Sequence, residues 1–430
     1  FWKVPEEIFS NLKVRASYGS LGNGNIDPYS FQELFKIKQS SLVLNGIRPQ
    51  YTGQPAVIPL GLTWEKSTTL NLGLDFAFLS NRLQFSGDIY QRKTTDMFTV
   101  GMSLPAVFGT DVPKGNYADL TTKGFELSVS WRDQFQLASK PFNYEVRFTL
   151  ADYQSTIDKY NNPEKKLGDD YYYEGMKVGE IWGYETEGFF TSQADIDSHA
   201  KQPYFYAGAT AGQWLPGDIK FKDLNGDGVI DYGNNTVDNP GDQKIIGNSE
   251  PRFIYGINLS GDWNNFFVSA FFQGVGKQDW WPGSEASYFW GMYNRPYNDM
   301  PKSHLGNIWT EENPNTYFPR LRGYSSEEPY AELNLKQTRY LQNIAYIRMK
   351  NIQLGYTLPK SFISKLRMQN AKVYVSGENL WSWSPFYKYS KDLDVEAVRG
   401  SDRDLTEGTS GNGYSYPILK SVSFGLSVTF

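Results

Sequence analysis

The sequence contains no cysteine, and only two of its 430 residues are histidines, His199 and His304. The lack of cysteine excludes a disulfide framework, a thiol nucleophile and a zinc–cysteine site. No run of about 18 apolar residues occurs, which excludes a transmembrane helix. The 42 basic and 47 acidic residues are interspersed along the chain and give a net charge of −5. Nothing in this pattern indicates a nucleic-acid-binding surface.

Aromatic residues and glycine are, in contrast, abundant, with 30 Tyr, 28 Phe, 12 Trp and 40 Gly. The mean hydropathy is nevertheless low, at −0.53. A chain that is both aromatic and polar needs an arrangement in which apolar and polar residues are interleaved. At this length, the composition favours one large β-structure over two or three ordinary domains.

Apolar residues alternate with polar ones in about ten segments of the chain, which predicts about ten β-strands. Clear examples are Leu70, Leu72, Leu74, Phe76 and Phe78, then Phe142, Tyr144, Val146, Phe148 and Leu150, and the final set Val422, Phe424, Leu426, Val428 and Phe430. Several segments have roughly the 9–11 residues that a tilted strand needs to cross a bilayer. Alternation alone fits two folds equally, a soluble β-sandwich and a membrane β-barrel.

The lengths of the connections favour the barrel. Long connections, at about residues 20–66, 94–122, 152–252, 275–343 and 381–418, alternate with shorter ones at 79–82, 132–141, 261–265 and 359–370. If successive strands run antiparallel, all long connections lie at one end of the sheet and all short ones at the other. Outer-membrane barrels have this asymmetry, with short periplasmic turns and long extracellular loops. We therefore predict an all-β, antiparallel transmembrane barrel.

Several sequence strings resemble one known family. They are Leu12-Lys13-Val14-Arg15-Ala16-Ser17-Tyr18-Gly19, Trp64-Glu65-Lys66-Ser67-Thr68, Thr122-Lys123-Gly124-Phe125-Glu126-Leu127, Pro216-Gly217-Asp218-Ile219-Lys220-Phe221-Lys222-Asp223, Trp309-Thr310-Glu311-Glu312-Asn313-Pro314 and Val373-Tyr374-Val375-Ser376-Gly377-Glu378-Asn379-Leu380. In this order and spacing they resemble the C-terminal half of the SusC/RagA-like TonB-dependent outer-membrane transporters of Bacteroidota. The resemblance covers essentially the whole chain.

The resemblance implies a 22-stranded barrel with an N-terminal plug and a TonB box. Residues 1–430 supply about ten strands, the later part of such a barrel, and the remaining strands are expected upstream or in another chain. The resemblance further implies an outer-membrane location among lipid and LPS, a SusD-like surface lipoprotein as a lid, and TonB as a partner through an N-terminal region absent from this sequence. The expected function is import of oligosaccharides or peptides, and no cofactor is required.

One motif in the long connection 152–252 matches the first part of a calcium loop. Asp223, Asn225, Asp227 and Asp231 stand at positions 1, 3, 5 and 9, Gly at position 6 allows the sharp turn, and the Val229 carbonyl stands at position 7. Position 12, which closes the loop 223–234, is Asn and not the bidentate Glu of such sites; Asp238 is a substitute at a different spacing. A structural Ca²⁺ site and a pair of metal-free Asn-Gly and Asp-Gly turns both remain open.

An aromatic stretch occupies the connection 275–343. Trp280, Trp281, Tyr288, Phe289, Trp290 and Tyr293 are its main members. Aromatic rings stack on sugars or anchor protein interfaces, so these residues are candidates for contact with substrate or with a partner. The alternative is a loop that packs on itself, and we favour the alternative or the partner contact.

Catalysis has little support, because both histidines lie in loops, far apart and without a nucleophile motif. We expect both at the surface and no enzymatic activity. Charges on the polar strand face, such as Asp88, Glu145 and Arg147, are expected to line a wet channel. Two other classes stay open, a secreted β-sandwich that binds or hydrolyses glycans, and a passive porin.

Overall fold

The structure is a computed structural model. It describes residues 9–24, 32–55, 57–58, 61–101, 107, 109, 112–168, 171–203, 214–283, 286–297, 299–327, 331–398 and 416–430. Most of these residues belong to strands or to the connections that join them, and helices are few and short. The fold is all-β, as the alternation predicted.

Ten strands form one continuous antiparallel sheet in which each strand pairs with its neighbours along the chain. They are β1 (Phe9–Asn23), β4 (Glu65–Phe78), β5 (Leu83–Val100), β6 (Lys114–Leu137), β7 (Lys140–Lys159), β12 (Arg252–Trp263), β13 (Phe266–Lys277), β16 (Tyr346–Thr357), β17 (Asn370–Trp383) and β18 (Ser421–Thr429). Among the described residues, β1 pairs only with β4 and β18 only with β17. The sheet is therefore an open part of a barrel, in agreement with the prediction.

Short and long connections alternate around the sheet as predicted. The tightest turns join β6 to β7 and β12 to β13, with two residues each between the strands. In both turns the two residues have positive φ, 48° and 60° at Ala138 and Ser139 and 47° and 71° at Asn264 and Asn265. This is the backbone of a type I′ turn, whose twist matches that of the flanking strands.

Some strands are longer than the apolar alternation indicated. The sequence analysis placed connections at 94–122 and 132–141, but β5 continues to Val100, β6 runs from Lys114 to Leu137 and β7 reaches Lys159. The extra residues are largely polar. Backbone pairing continues through them because the hydrogen bonds between strands are made by backbone groups and do not require apolar side chains. The region between β7 and β12 consequently begins after Lys159, and not at residue 152.

The apolar face of the ten strands is exposed. Val14 is 76% exposed and Phe424 is 87% exposed, and similar side chains follow on the intervening strands. The polar residues between them face the opposite side of the sheet; we call this face the polar wall. A soluble protein would bury the apolar face, whereas a membrane barrel presents it to lipid.

The connections between β7 and β18 carry most of the other elements, and we call their described residues the loop layer. It contains the strands β8 (Glu180–Tyr184), β9 (Thr186–Phe189), β10 (Ile219–Phe221), β11 (Gln243–Asn248), β14 (Asp279–Trp280) and β15 (Gln342–Asn343), and the helices α1 (Gln193–Ser198), α2 (Ser287–Trp290) and α3 (Lys360–Ile363), the last in the shorter β16–β17 connection. The hairpin β2 (Ile37–Gln39) and β3 (Gln50–Thr52) lies between β1 and β4. No helix in the described part of the chain is long and apolar enough to span a membrane.

The main hydrophobic core lies mostly in the loop layer, and Val275 of β13 and Tyr346 of β16 join it from the ten-stranded sheet. It unites buried residues of the connections on both sides of β12–β13 and of the β17–β18 connection, among them Phe221, Ile230, Trp290, Tyr340 and Phe386. A second, smaller cluster contains Ile157, Leu167, Tyr173 and Met176. The long connections thus fold into an ordered layer with its own core.

Candidate functional site on the polar wall and in the loop layer

A charged network lies on the polar wall across three adjacent strands. Arg15 of β1 donates to both carboxylate oxygens of Asp88 at 2.7 Å and to both oxygens of Asp75, at 2.8 and 3.0 Å. Ser86 adds a hydrogen bond to Asp75, and Asn71 adds one to Asp88. The predicted wall residue Asp88 is therefore paired, and the three charges leave the network with one net negative charge.

Other predicted wall charges are paired as well. Glu145 accepts from Arg132 at 2.8 Å and from Arg147 at 3.0 Å. Near the loop layer, Arg252 donates two hydrogen bonds of 2.6 Å to Asp152. The predicted wall charges Asp88, Glu145 and Arg147 are thus all held in ion pairs.

Glycines on the polar wall allow aromatic rings to lie flat across the neighbouring strand. The ring–glycine pairs on this wall, each in cross-strand register, are Tyr90–Gly124, Phe267–Gly355 and Tyr374–Gly425. A Cβ built on any of these glycines would lie 2.1–2.6 Å from the ring. The rings therefore shield backbone that glycine leaves open, and they fix the register of the wall.

The aromatic stretch of the β13–β16 connection is divided by burial. Trp280, Phe289, Trp290 and Tyr293 are buried in the main core, where Trp290 donates its indole N–H to the Gly283 carbonyl at 3.0 Å. For these four rings, the loop packs on itself, which is one of the alternatives given in the sequence analysis. Trp281 is partly exposed and Tyr288 is 56% exposed. For Tyr288 and Trp281, contact with a partner or substrate stays a prediction.

The predicted calcium loop is a set of tight turns held by its own backbone. Asp223 accepts hydrogen bonds from the amides of Gly226 and Gly228, at 2.6 and 2.9 Å. Asp227 accepts from the Val229 amide at 2.8 Å, and Asn225 accepts from the Asp227 amide at 2.9 Å. These contacts position the oxygens on one short loop and also hold it without a metal. The Ca²⁺ site stays a prediction.

Asp242 joins the two ends of this loop, which sequence reasoning missed. Its carboxylate is fully buried and accepts from the amides of Leu224 at 2.7 Å and Asp231 at 2.9 Å. Burial raises the pKa of Asp242. The substitute ligand considered from the sequence, Asp238, is exposed. Within the described residues, no group of three or more acidic or histidine side chains is arranged to hold a metal.

A buried charge cluster ties the β9–β10 region to the connection after α2. Arg320 makes a two-pronged bond with Asp218, at 2.6 and 3.0 Å, and Arg322 approaches Asp218 at 3.3 Å and Glu332 at 3.7 Å. Glu332 also accepts from the Ile219 amide at 3.0 Å. Burial, reinforced by the nearby Asp218, raises the pKa of Glu332 to about 8. Sequence reasoning noted Asp218 only within a motif, because its partners lie about a hundred residues away.

The expected surface position is wrong for His304. Its ring is 1% exposed, lies 4.1 Å from the Phe318 ring centroid, and contacts the Phe289 carbonyl through Nε2 at 2.9 Å. Burial lowers the pKa of His304. His199 is partly buried and packs edge-on against Phe190, with centroids 5.4 Å apart. Both histidines are packing residues of the loop layer.

Comparison with known proteins identifies the fold. Residues 2–217 match the family model described as TonB dependent receptor-like, beta-barrel. The chain is 27% identical over its whole length to TonB-dependent receptor P3 of Formosa agariphila and covers 41% of that protein. It is 24% identical to TonB-dependent receptor SusC of Bacteroides thetaiotaomicron, again over its whole length, and covers 39% of it.

Solved structures agree with the sequence relatives. The RagAB peptide transporter structure superposes with a TM-score of 0.71 at 20% identity, over 99% of this chain and 41% of that one. A second RagAB structure, in the open-open state, gives 0.68 at 21% identity and covers 99% and 40%. The chain thus spans about two fifths of the length of its relatives, and the predicted resemblance to SusC/RagA-like transporters is confirmed. This chain belongs to the TonB-dependent receptor-like β-barrel family.

Proposed function

We propose that this chain is the later part of the barrel of an outer-membrane importer that takes up oligosaccharides or peptides. The observation that carries the proposal is the ten-stranded sheet, whose apolar face is exposed while its polar wall is lined by ion pairs such as Arg15–Asp88. One face suits lipid and the other suits a wet lumen. Family membership supports the same function.

Energy for import would come from TonB, through an N-terminal region and a plug that lie outside this chain. The relatives, of which this chain covers about 41%, are named TonB-dependent receptors, which supports this part of the proposal. Because the relatives are receptors and transporters by name, we propose transport and no catalysis.

A surface lipoprotein of the SusD type is the proposed lid. The loop layer supports this, because its ordered core gives the long connections a fixed outer surface. Tyr288 and Trp281 on that surface are the proposed contacts, since exposed aromatic side chains are frequent anchors at protein interfaces.

Uptake by whole cells tests the proposal. Cells that carry the full-length protein are given labelled oligosaccharides or short peptides, in strains with and without TonB. Import that requires both the protein and TonB supports the proposal. Uptake that continues without TonB would favour the passive porin, and a folded protein that stays in solution without detergent would favour the secreted β-sandwich.

Affinity purification tests the lid. A tagged full-length protein should retain a lipoprotein from detergent-solubilised outer membranes, and Tyr288→Ala should weaken the association. Tyr297→Ala provides a control, since Tyr297 is also an exposed ring of the β13–β16 connection, at 72%. Equal loss in both variants, or none in either, would count against the proposed contact.

A further inference from the structure

A cavity of about 340 Å³ lies in the loop layer, away from the polar wall. It is bounded by the segment that follows β7, by the paired strands β8 and β11, and by residues 334–336. Its volume falls within the range of roughly 300–1,000 Å³ that small-molecule pockets occupy. No site assigned above uses this cavity.

Five aromatic side chains line the cavity: Tyr171, Tyr173, Trp182, Tyr184 and Tyr232. They form a floor and a rim. Tyr173 and Tyr184 are buried, whereas Tyr171 is 44% exposed and Tyr232 is 46% exposed. A ligand would therefore enter between two tyrosines at the surface and meet fixed rings below.

Hydrogen bonds hold the floor in place. The Tyr173 hydroxyl donates to Glu180 at 2.6 Å, and the Trp182 indole N–H donates to the Tyr173 oxygen at 3.3 Å. The other Glu180 oxygen accepts from the Lys177 amide at 3.1 Å. Since both carboxylate oxygens are engaged by the protein, Glu180 organises the rings and is not a free counter-charge for a cationic ligand.

Two amide side chains supply polar groups. Asn235 donates to the Leu167 carbonyl at 2.9 Å, and Gln243 donates to the Asn235 oxygen at the long distance of 3.4 Å. The Gln243 side-chain oxygen accepts no hydrogen bond from the described residues. A side-chain amide offers both donors and an acceptor, so this pair can meet the hydroxyl groups of a ligand.

The charge of the lining favours an uncharged ligand. Among the described residues of the lining, Glu180 and Lys336 are the two that carry a formal charge, and their charges balance. A peptide would bring charged termini, which need opposite charges when they leave water. A sugar ring brings apolar C–H faces, which suit aromatic rings, and a rim of neutral hydroxyls, which suit amides.

We propose that this cavity binds one or two rings of a neutral oligosaccharide, as a capture site separate from the polar wall. The inference rests on the proposed import function, of which it names the substrate class. The rim residues Tyr171 and Tyr232 contact the faces of the sugar rings, and Asn235 and Gln243 contact the sugar hydroxyls. A site of this kind holds cargo at the loop layer before it reaches the lumen.

The test uses the full-length protein in detergent and an array of neutral gluco-, manno-, galacto- and xylo-oligosaccharides, followed by calorimetry on the best binder. We expect Tyr171→Ala and Tyr232→Ala each to weaken binding by about tenfold, because each removes one stacking face. Both residues are nearly half exposed, so the fold should persist, which a thermal melting curve checks. Tyr297→Ala is the matched control and should bind like the unmodified protein.

The outcomes separate this inference from the import function. Selective weakening in the two rim variants supports the cavity. Absence of binding to every neutral glycan, or equal binding by all variants, overturns it, even where cells still import through the protein with TonB. Conversely, glycan binding that depends on Tyr171 and Tyr232 in a protein whose uptake is independent of TonB would uphold the cavity and overturn the energised import.

Discussion

Arg15 and Asp88 form a two-pronged ion pair across the whole width of an intervening strand. Both Nη–O distances are 2.7 Å, although Arg15 belongs to β1 and Asp88 to β5, with β4 between them. The residue in register with both is Gly73. A Cβ on Gly73 would lie 2.5 Å from an Asp88 oxygen and 2.6 Å from the Arg15 Cζ, so the bridge depends on the missing side chain.

Replacement of Gly73 by alanine should therefore destabilise the barrel. Within a strand, Gly→Ala normally stabilises by roughly 0.5–1 kcal/mol, but here we expect a lower unfolding temperature, because the added methyl group would overlap Arg15 and Asp88 and force the ion pair apart. The measurement is the temperature at which the full-length barrel unfolds in detergent.

Gly19→Ala is the control for this substitution. Gly19 also lies in β1, and nothing is within 4 Å of its Cβ position. It should raise or preserve the unfolding temperature. A Gly73→Ala protein as stable as the Gly19→Ala protein would contradict the role given to Gly73.

Acid should loosen the loop core through His304. Burial lowers the pKa of His304 in the folded state, so the unfolded chain takes up a proton first as the pH falls. Stability is then lost below the ordinary histidine pKa of about 6.5. Hydrogen exchange of residues 286–293, expressed relative to the intrinsic chemical rate at each pH, should accelerate as the pH falls from 7.5 to 5.

His304→Gln should remove most of this acceleration, since glutamine still donates toward the Phe289 carbonyl but does not titrate in this range. His199→Gln serves as the control and should keep the acid sensitivity. If His304→Gln and the unmodified protein respond identically to acid, another group controls the loop core.

The buried charge cluster should respond unequally to removal of its two acids. The pKa of Glu332 is raised to about 8, so its carboxyl is largely protonated at pH 7 and Glu332→Gln should change stability little. Because the pKa of Glu332 is higher in the folded state than in the unfolded chain, the folded state binds this proton more tightly. The free energy of unfolding therefore decreases as the pH rises from the ordinary glutamate pKa toward 8. Asp218→Asn should cost about 3–5 kcal/mol, because it leaves the buried Arg322 and the partly buried Arg320 without their main partner.

Local unfolding of the loop layer, measured by hydrogen exchange around residues 218–222 at pH 7, checks this inequality. Faster exchange in Asp218→Asn than in Glu332→Gln is the expected result. Equal effects would contradict the protonated state assigned to Glu332.

Calcium should stabilise the loop 223–231 if the predicted site exists. We expect added Ca²⁺ to slow hydrogen exchange of this loop and a chelator to reverse the effect, and Asp227→Ala to abolish the response. Asp238→Ala, at an exposed neighbouring carboxylate, should respond normally. A loop that exchanges identically with calcium and with chelator would establish the turns as metal-free.

The sheet could be predicted from the sequence because its information is local. Alternation such as Leu70-Asn71-Leu72 gives the strand and its two faces at once, and the alternating connection lengths place the long connections at one end of the sheet. The loop layer could not be predicted in the same way. The roles of Asp242 and His304 depend on contacts with segments distant in sequence, and the pattern of apolar and polar residues does not predict these contacts. The aromatic stretch could be predicted in part. Its composition identified it in the sequence, but only the fold separates the buried Trp290 from the exposed Tyr288.

The central claim is that the apolar face of the sheet meets lipid and that the polar wall meets water. These 430 residues contain no cysteine, so the substitutions Leu72→Cys and Asn71→Cys, made in a full-length protein from which any other cysteine has been removed, can each carry a nitroxide label in lipid nanodiscs. The account predicts that the label at residue 72 is relaxed by oxygen and protected from a water-soluble nickel complex, with the reverse at residue 71. A label at residue 72 that nickel reaches freely, with residue 71 shielded, would contradict the barrel.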